Sequence, residues 1–94
     1  MPTRRQMIDA LLRSGRASVE DLASRTGADV RTVLLDLEHV RRGLAASDRW
    51  IAHPAECRAC GYVFRDRVRL ATPSRCPECR SEDIADPEYE IRAD

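Results

Sequence analysis

The sequence predicts an α+β fold, with three helices in its first half and a small β structure around a cysteine-rich segment in its second half. Three observations support this prediction. Apolar residues recur at helical spacing in three segments of the first half. All four cysteines lie between Cys57 and Cys79, and extended-looking segments flank them on both sides. A chain of 94 residues suits one compact domain or two very small units, and its core is thin.

The first predicted helix runs from Thr3 to Gly15. Thr3 fits the N-cap position, and Gln6, three residues later, completes a capping box. Gly15 is expected to end the helix in the left-handed conformation. The apolar residues at helical spacing are Met7, Ile8, Leu11 and Leu12.

The second predicted helix is short and runs from Ser18 to Thr26. Ser18 fits the N-cap, and Asp21 is the acidic residue of its capping motif. Gly27 then permits a tight turn.

The third predicted helix begins after Asp29, its N-cap, and ends near Gly43 or continues to Ala46. Propensity alone does not decide between these two ends. The expected buried stripe consists of Val30, Val33, Leu34, Leu37 and Val40. Residues 31, 32, 35, 36 and 39 lie off that stripe.

A helix, a short helix, a glycine-containing turn and a longer helix form the helix-turn-helix pattern. The stretch SVEDLASRTGADVRTVLLDLEHVRRGL is similar to the core of many bacterial and archaeal helix-turn-helix regulators. In such proteins the second helix of the pair enters the DNA major groove by its N-terminal half. The residues predicted to face bases are Arg31, Thr32, Leu35 and Asp36. Phosphate contacts are predicted for Arg4, Arg5, Arg25, Arg41 and Arg42, and contacts with flanking DNA for Arg65, Arg67 and Arg69. An ordinary three-helix bundle is the alternative.

Charge leaves a second function open. Residues 1–50 carry nine arginines and seven acids, a net charge of +2, and residues 51–94 carry seven and nine, a net charge of −2. A strongly basic footprint is therefore missing. A protein-interaction adaptor without DNA binding of its own is the alternative to a DNA-binding regulator.

The pairs Cys57-x2-Cys60 and Cys76-x2-Cys79 have the spacing of a four-cysteine zinc site. Two such turns facing each other supply the tetrahedral all-sulfur ligand set that suits one structural Zn²⁺. The alternatives are iron in a rubredoxin-like site, disulfides, and a zinc site that senses metal or oxidants. Since four cysteines leave no position for water and no nucleophile–base set is visible, we do not expect an enzyme.

The zinc ion is expected to stabilise residues 57–80, which have too few large apolar residues to fold around a core alone. The large apolar residues of this segment are Tyr62, Val63, Phe64, Val68 and Leu70. Tyr62–Phe64 and Arg67–Ala71 are predicted to form a short hairpin. Gly61 follows the first cysteine pair, where a left-handed residue is favoured, and Arg80 occupies the corresponding place after the second.

The segments Trp50–Ala55 and Glu88–Arg92 are predicted to be the two strands of a wing. The fold class is therefore a three-helix winged helix-turn-helix with a small β zinc ribbon inserted between the wing strands. Its predicted units are residues 1–56 with 85–94, and the ribbon at 57–84. Trp50 and Ile91 are candidate core residues, whereas His53 is expected to be a surface or edge residue rather than a fifth ligand.

The whole arrangement resembles a small archaeal family of winged helix-turn-helix transcriptional regulators with an inserted rubredoxin-like zinc ribbon. The resemblance rests on TRRQMIDALL, VLLDLEHV, PAECRACGYVF, PSRCPECRSEDI and PEYEIR. It implies the fold, a zinc ion at the four cysteines and a role in transcription. The short link TGADV between the second and third helices departs from the family pattern.

The sequence also carries predictions about location and assembly. No apolar run approaches the eighteen or so residues of a membrane span, and we expect a cytoplasmic protein. The expected partners are DNA and, through the ribbon, another protein. A homodimer is compatible with the sequence.

Overall fold

The computed structural model describes residues 1–65 and 69–93. Within these residues the chain is an α+β structure of three helices and five strands. The helices are α1 (Arg4–Ser14), α2 (Val19–Thr26) and α3 (Val30–Arg42). The strands are β1 (Ala17–Ser18), β2 (Asp48–His53), β3 (Glu56–Cys57), β4 (Ile84–Ala85) and β5 (Glu88–Ala93).

The helices begin at the residues that the sequence predicts. The Thr3 hydroxyl accepts a hydrogen bond from the Gln6 backbone N–H at 3.2 Å, and the Gln6 side chain accepts from the Thr3 N–H at 2.8 Å. Ser18 and Asp21 form the same reciprocal box at α2, with both distances 3.1 Å. Such boxes satisfy N–H groups that a helix start leaves without partners.

The glycines differ in their backbone conformations. Gly27 is left-handed, with φ of +78°, and its N–H donates to the Ala23 carbonyl, which ends α2 as predicted. The prediction that Gly15 is left-handed is wrong. Gly15 is extended, with φ of 160°, because the chain runs directly from α1 into β1. Helix α3 ends at Arg42, before Gly43.

A three-stranded antiparallel sheet closes the helical half, with strand order β1-β5-β2. The predicted pairing of the two flanking segments is confirmed, since Trp50 lies opposite Ile91 and Arg49 opposite Arg92. The short strand β1 was not predicted. It pairs Ala17 with Tyr89 and so attaches the start of α2 to the sheet.

The larger core lies between the three helices and this sheet. Ile91 is buried in it, as predicted, and Trp50 packs against it half-exposed, stacked on Tyr89 with ring centroids 5.3 Å apart. The buried members are Ile8, Leu12, Ala17, Val19, Leu22, Val33, Leu37, Val40, Leu70, Tyr89 and Ile91. Leu70 comes from the cysteine-rich segment, and its carbonyl accepts a hydrogen bond from the Tyr89 hydroxyl at 2.9 Å.

The cysteine-rich segment has a second, smaller core. Strands β3 and β4 pair antiparallel, and Glu56 also bridges to Val63. The segment Tyr62–Phe64 thus lies beside β3. Its predicted pairing with Arg67–Ala71 stays a prediction, because residues 67 and 68 of that arm lie outside the described residues. Buried members of this core are Ala55, Cys57, Cys76 and Ile84, with Tyr62 and Phe64 packed against them.

Among residues 1–65 and 69–93, no helix has the length and apolar character that crossing a membrane requires.

Candidate metal centre and candidate nucleic-acid interface

The four cysteine side chains converge on one point. All four Sγ atoms lie within 4.8 Å of one another. The Cys57–Cys79 and Cys60–Cys76 sulfur pairs are each 3.6 Å apart. A disulfide requires about 2.05 Å, so these sulfurs are unbonded thiols. A tetrahedral zinc ion with Zn–S distances of about 2.3 Å separates its sulfurs by about 3.8 Å. The sulfur positions therefore fit zinc.

Two similar backbone turns hold the sulfurs in place. In the first turn, the Gly61 N–H donates to the Cys57 carbonyl at 2.8 Å, and in the second the Arg80 N–H donates to the Cys76 carbonyl at 2.9 Å. Gly61 has a φ of +81° and Arg80 a φ of +64°. This confirms the prediction that a left-handed residue follows each cysteine pair, Gly61 after the first and Arg80 after the second. Arginine is disfavoured in this conformation, so the second turn is the more strained one.

The two members of each cysteine pair differ in exposure. Cys57 and Cys76 are each 1% exposed and belong to the small core, whereas Cys60 and Cys79 lie at the surface. Burial on its own would raise the pKa of the Cys76 thiol. Hydrogen bonds from the backbone N–H groups of Cys79 and Glu78, together with neighbouring thiols, outweigh burial, so that the pKa of Cys76 is lowered to about 7. Thiolates are the zinc-binding form, so these N–H groups favour binding.

Comparison with known proteins agrees with this geometry. A family model described as the PF0610 rubredoxin-like zinc β-ribbon domain matches residues 54–93. The chain therefore has a rubredoxin-like zinc β-ribbon.

The similarity extends beyond the ribbon. The solution NMR structure of protein PF0610 from Pyrococcus furiosus matches the fold of this chain with a TM-score of 0.73. The two sequences are 33% identical, and the match covers 97% of this chain and 90% of that one. This chain belongs to the PF0610-type family of rubredoxin-like zinc β-ribbon proteins. No curated protein matches it.

The predicted cofactor is thereby confirmed. Cys57, Cys60, Cys76 and Cys79 form a zinc-ribbon site for one structural zinc ion. The zinc would tie β3 and the turn after it to the segment before β4, because each turn supplies two of the four ligands. The regulator family named in the resemblance stays a prediction.

The exposed face of α3 carries three of the four residues predicted to read bases. Arg31 is exposed, Thr32 is half-buried, and Leu35 is 62% exposed, which is high for a leucine. The Thr32 backbone N–H donates to the Asp29 carboxylate at 2.8 Å, which confirms Asp29 as the N-cap. The first turns of α3 therefore present a mixed surface with one guanidinium and one large apolar side chain.

The placement predicted for Asp36 is wrong. Asp36 is 1% exposed, and its carboxylate accepts hydrogen bonds from Arg4 and Arg5 on α1. The Arg5 Nε atom lies 3.0 Å from Asp36 Oδ1. The hydrogen bond from Arg4 is the main cause that lowers the pKa of Asp36, against the effect of burial. Asp36 thus binds α1 to α3 and is not available to a base.

The other arginines predicted to contact DNA are distributed over several surfaces. Arg4 and Arg5 keep about half of their side chains exposed while paired with Asp36. Arg41 pairs with Glu38 at 2.7 Å, and Arg42 is 77% exposed. Arg25, Arg65 and Arg69 are exposed as well. Arg67 lies outside the described residues. None of these placements tests DNA binding, so the contacts stay predictions.

Sequence reasoning missed a cleft of about 430 Å³ beside the ribbon. Its lining includes Arg41, Trp50, Phe64, Arg69 and Tyr89, which lie up to 48 positions apart (41 to 89). Residues so far apart carry no shared local pattern. His53, expected to be a surface or edge residue, lies in the edge strand β2 and is half-buried at this cleft, with Nε2 2.6 Å from Glu90 Oε2. Among the described residues, the group that could hold a metal contains the four cysteines and does not include His53.

Proposed function

We propose that the protein is a DNA-binding transcriptional regulator with a winged helix-turn-helix arrangement, in which α3 enters the major groove. The observation that supports this most is the arrangement of α2, α3 and the sheet. Three residues, Gly27–Asp29, connect α2 to α3. A helix-turn-helix uses a turn of about this length, often with glycine. The left-handed Gly27 sets the direction of the chain into α3.

The sheet adds to this argument. Strands β2 and β5 follow α3 as an antiparallel pair, and β1 adds to β5 from the segment between α1 and α2. A winged helix would have its helices and strands in this order, which supports the proposal. The ribbon occupies the connection between β2 and β5, where such folds carry the tip of the wing.

The surface of α3 supplies candidate base contacts. Arg31 lies in the first turn and is exposed, and arginine binds guanine O6 and N7 with two parallel hydrogen bonds. Beside Arg31, Thr32 offers a hydroxyl group and Leu35 offers an apolar surface for the methyl group of a thymine. Arg5 and Arg42 are candidate phosphate contacts because both keep exposed guanidinium groups.

The zinc is assigned a structural role in this proposal. Four cysteines fill the coordination positions of a tetrahedral ion, so no position remains for water or substrate. We propose no catalytic activity.

A selection from a random DNA pool tests the function. Zinc-loaded full-length protein is used to enrich sequences, and the enriched site is then titrated at several salt concentrations. A regulator recovers a motif whose affinity falls steeply with salt, since each neutralised phosphate releases counterions. A two-fold symmetric motif would also indicate a dimer. The proposal is overturned if no sequence is enriched at low salt.

Arg31→Ala provides the residue-level test. We expect it to weaken binding to the selected site by about 1–3 kcal/mol, because one bidentate base contact is worth that much. Arg75→Ala is the matched control, since it also removes an exposed arginine, but from the ribbon, where Arg75 pairs with Glu82 at 3.4 Å. Equal affinities for the Arg31 variant and the wild type would remove Arg31 from the interface.

A protein-interaction adaptor is the second candidate function, and the exposure of Leu35 favours it. A large apolar side chain that is 62% exposed at the centre of α3 suits a protein interface. The formal net charge of zero also favours it over nucleic acid. If DNA selection fails, Leu35→Ala is expected to abolish capture of a protein partner that the wild type retains.

A further inference from the structure

The cleft beside the ribbon combines aromatic and apolar surface with several positive charges. It lies where α3, the three-stranded sheet and the cysteine-rich segment meet. Trp50 and Tyr89 line it from the sheet, and Phe64 and Leu70 line it from the cysteine-rich segment. Its volume, about 430 Å³, falls within the range of small-molecule sites.

Three arginines line the same cleft: Arg41 from the end of α3, and Arg65 and Arg69 from the cysteine-rich segment. Arg41 already donates one hydrogen bond to Glu38. Among residues 1–65 and 69–93, Arg65 and Arg69 form no ion pair. The cleft therefore has guanidinium N–H groups that can bind an anion.

The nearby carboxylates do not cancel this charge. Glu90 contacts His53, which lines the cleft, and it also accepts a hydrogen bond from Arg92 at 2.7 Å. Glu38 is engaged by Arg41 at 2.7 Å. Both carboxylates are therefore already paired, and among residues 1–65 and 69–93 the lining of the cleft contains three arginines and no carboxylate.

We propose that this cleft binds a small molecule that consists of a planar aromatic ring with an anionic group. Aromatic side chains favour a planar ring by offset stacking or edge contact. Guanidinium groups bind carboxylates and phosphates with paired hydrogen bonds. Either anion fits this chemistry, so an aromatic carboxylate and a nucleoside monophosphate are both suitable probes. The proposal does not rest on DNA binding by α3, although Arg41, Arg65 and Arg69 are also predicted DNA contacts.

The site brings together three parts of the chain. Arg41 belongs to α3, Trp50 to β2, and Arg69 to the segment that follows the first zinc turn. A bound molecule would contact all three. Binding therefore stabilises the position of the ribbon relative to α3.

NMR titration of the zinc-loaded full chain tests the proposal, with the indole N–H of Trp50 as reporter. Trp50 is the one tryptophan of the sequence, so its signal is unambiguous. The probes are benzoate, adenosine monophosphate, inorganic phosphate and benzyl alcohol. We expect at least one of the two aromatic anions to saturate the shift at about 1 mM or below. Phosphate and the neutral alcohol should bind at least about tenfold more weakly, because each lacks one of the two groups.

Two variants complete the test. Arg69→Gln should weaken the aromatic anion about tenfold, since it removes one charge-assisted pair. Arg75→Gln, on the ribbon but outside the cleft, should leave the affinity unchanged. The proposal is overturned by any of three results: neither aromatic anion saturates by about 10 mM, inorganic phosphate binds as tightly as both, or the two variants lose affinity equally. Tight binding of phosphate alone would indicate a simple anion site, such as one for a DNA phosphate.

Discussion

The helical half and the zinc ribbon of this chain are held together by different forces. In the helical half, eleven buried residues from three helices, a sheet and Leu70 form one continuous core. In the ribbon, four buried residues form the core, and two of them are the cysteines Cys57 and Cys76. Ordering a residue costs about 1–2 kcal/mol of backbone entropy, which so small a core cannot offset. The ribbon therefore depends on the metal in a way that the helical half does not.

The two regions meet at Leu70. Its side chain belongs to the helical core, and its carbonyl accepts the Tyr89 hydroxyl at 2.9 Å. Strand β5 thus fixes the middle of the cysteine-rich segment, at Leu70. A substitution confined to one region shows whether the other region depends on it.

The largest effect is expected from Cys76→Ser. Structural zinc contributes about 10–16 kcal/mol of apparent binding free energy in small cysteine sites, and serine is a poor ligand for it. We expect the zinc content measured by native mass spectrometry to fall from one ion per chain to none. Circular dichroism should retain the signal of the three helices. A variant that keeps its zinc would show that Cys76 is not a ligand.

Leu37→Ala is expected to have the next largest effect, on the other region. Leu37 is fully buried, and truncating a buried leucine costs about 2–5 kcal/mol in the free energy of unfolding. Denaturant unfolding of the zinc-loaded protein measures this cost. Zinc affinity, measured by competition with a chelator, should stay the same.

Leu35→Ala is the matched control for this prediction. Leu35 lies on the same helix but is 62% exposed, so its truncation should change stability by less than about 0.5 kcal/mol. Equal losses in the two variants would contradict the core described above.

Asp36→Asn is expected to cost about 1–3 kcal/mol, because it removes the charged acceptor of Arg4 and Arg5 from a buried position. The folded-state pKa of Asp36 is lowered. Its contribution is therefore fully present above the unfolded pKa of about 3.9 and is lost as the pH falls from there through the folded pKa.

The pH dependence gives this prediction a sharp readout. The stability difference between wild type and Asp36→Asn should be constant near pH 6 and shrink below about pH 4. Zinc loss in acid affects both proteins and cancels in the difference if the sites are independent. A difference that does not vary with pH would mean that Asp36 acts through packing rather than charge.

The smallest effects are expected from exchanging the residues of the two zinc turns. Gly61→Arg should weaken the ribbon by about 1 kcal/mol, since Gly61 has a φ of +81°. No atom lies within 4 Å of a Cβ added there, so the cost is conformational rather than steric. Arg80→Gly should strengthen it by a similar or smaller amount. Competition with a chelator measures the zinc affinity of both variants. If both variants lose affinity, or both gain it, the two turns are not equivalent.

The features that the sequence predicted correctly depend mostly on residues that are neighbours in the chain. The capping boxes of Thr3 and Ser18, the αL turn at Gly27 and the left-handed positions at Gly61 and Arg80 depend on a few neighbouring residues. The four cysteine ligands were predicted because their spacing itself reflects zinc geometry. The pairing of β2 with β5 also followed, since two extended segments flank the ribbon.

The features that were missed depend on residues far apart in the chain. Asp36 is buried because Arg4 and Arg5, more than thirty positions away, reach its carboxylate. Strand β1 has only two residues and forms because Tyr89 lies opposite Ala17. Leu70 was assigned to the ribbon core because of its position in the sequence, whereas the fold brings it to the helices. No local pattern contains these partners.

Residue-resolved amide hydrogen exchange, before and after a chelator removes the zinc, tests most directly whether the two regions are held by different forces. The ribbon reporters are the N–H groups of Cys57 and Cys76, which donate to Tyr62 and Ser81. The helical reporters are Val33 and Leu37 in α3. We predict that zinc removal abolishes protection at the two cysteines and leaves it at the α3 residues. Simultaneous loss of protection in both regions, or its retention in both, would contradict a zinc-dependent ribbon attached to a helical half with its own core.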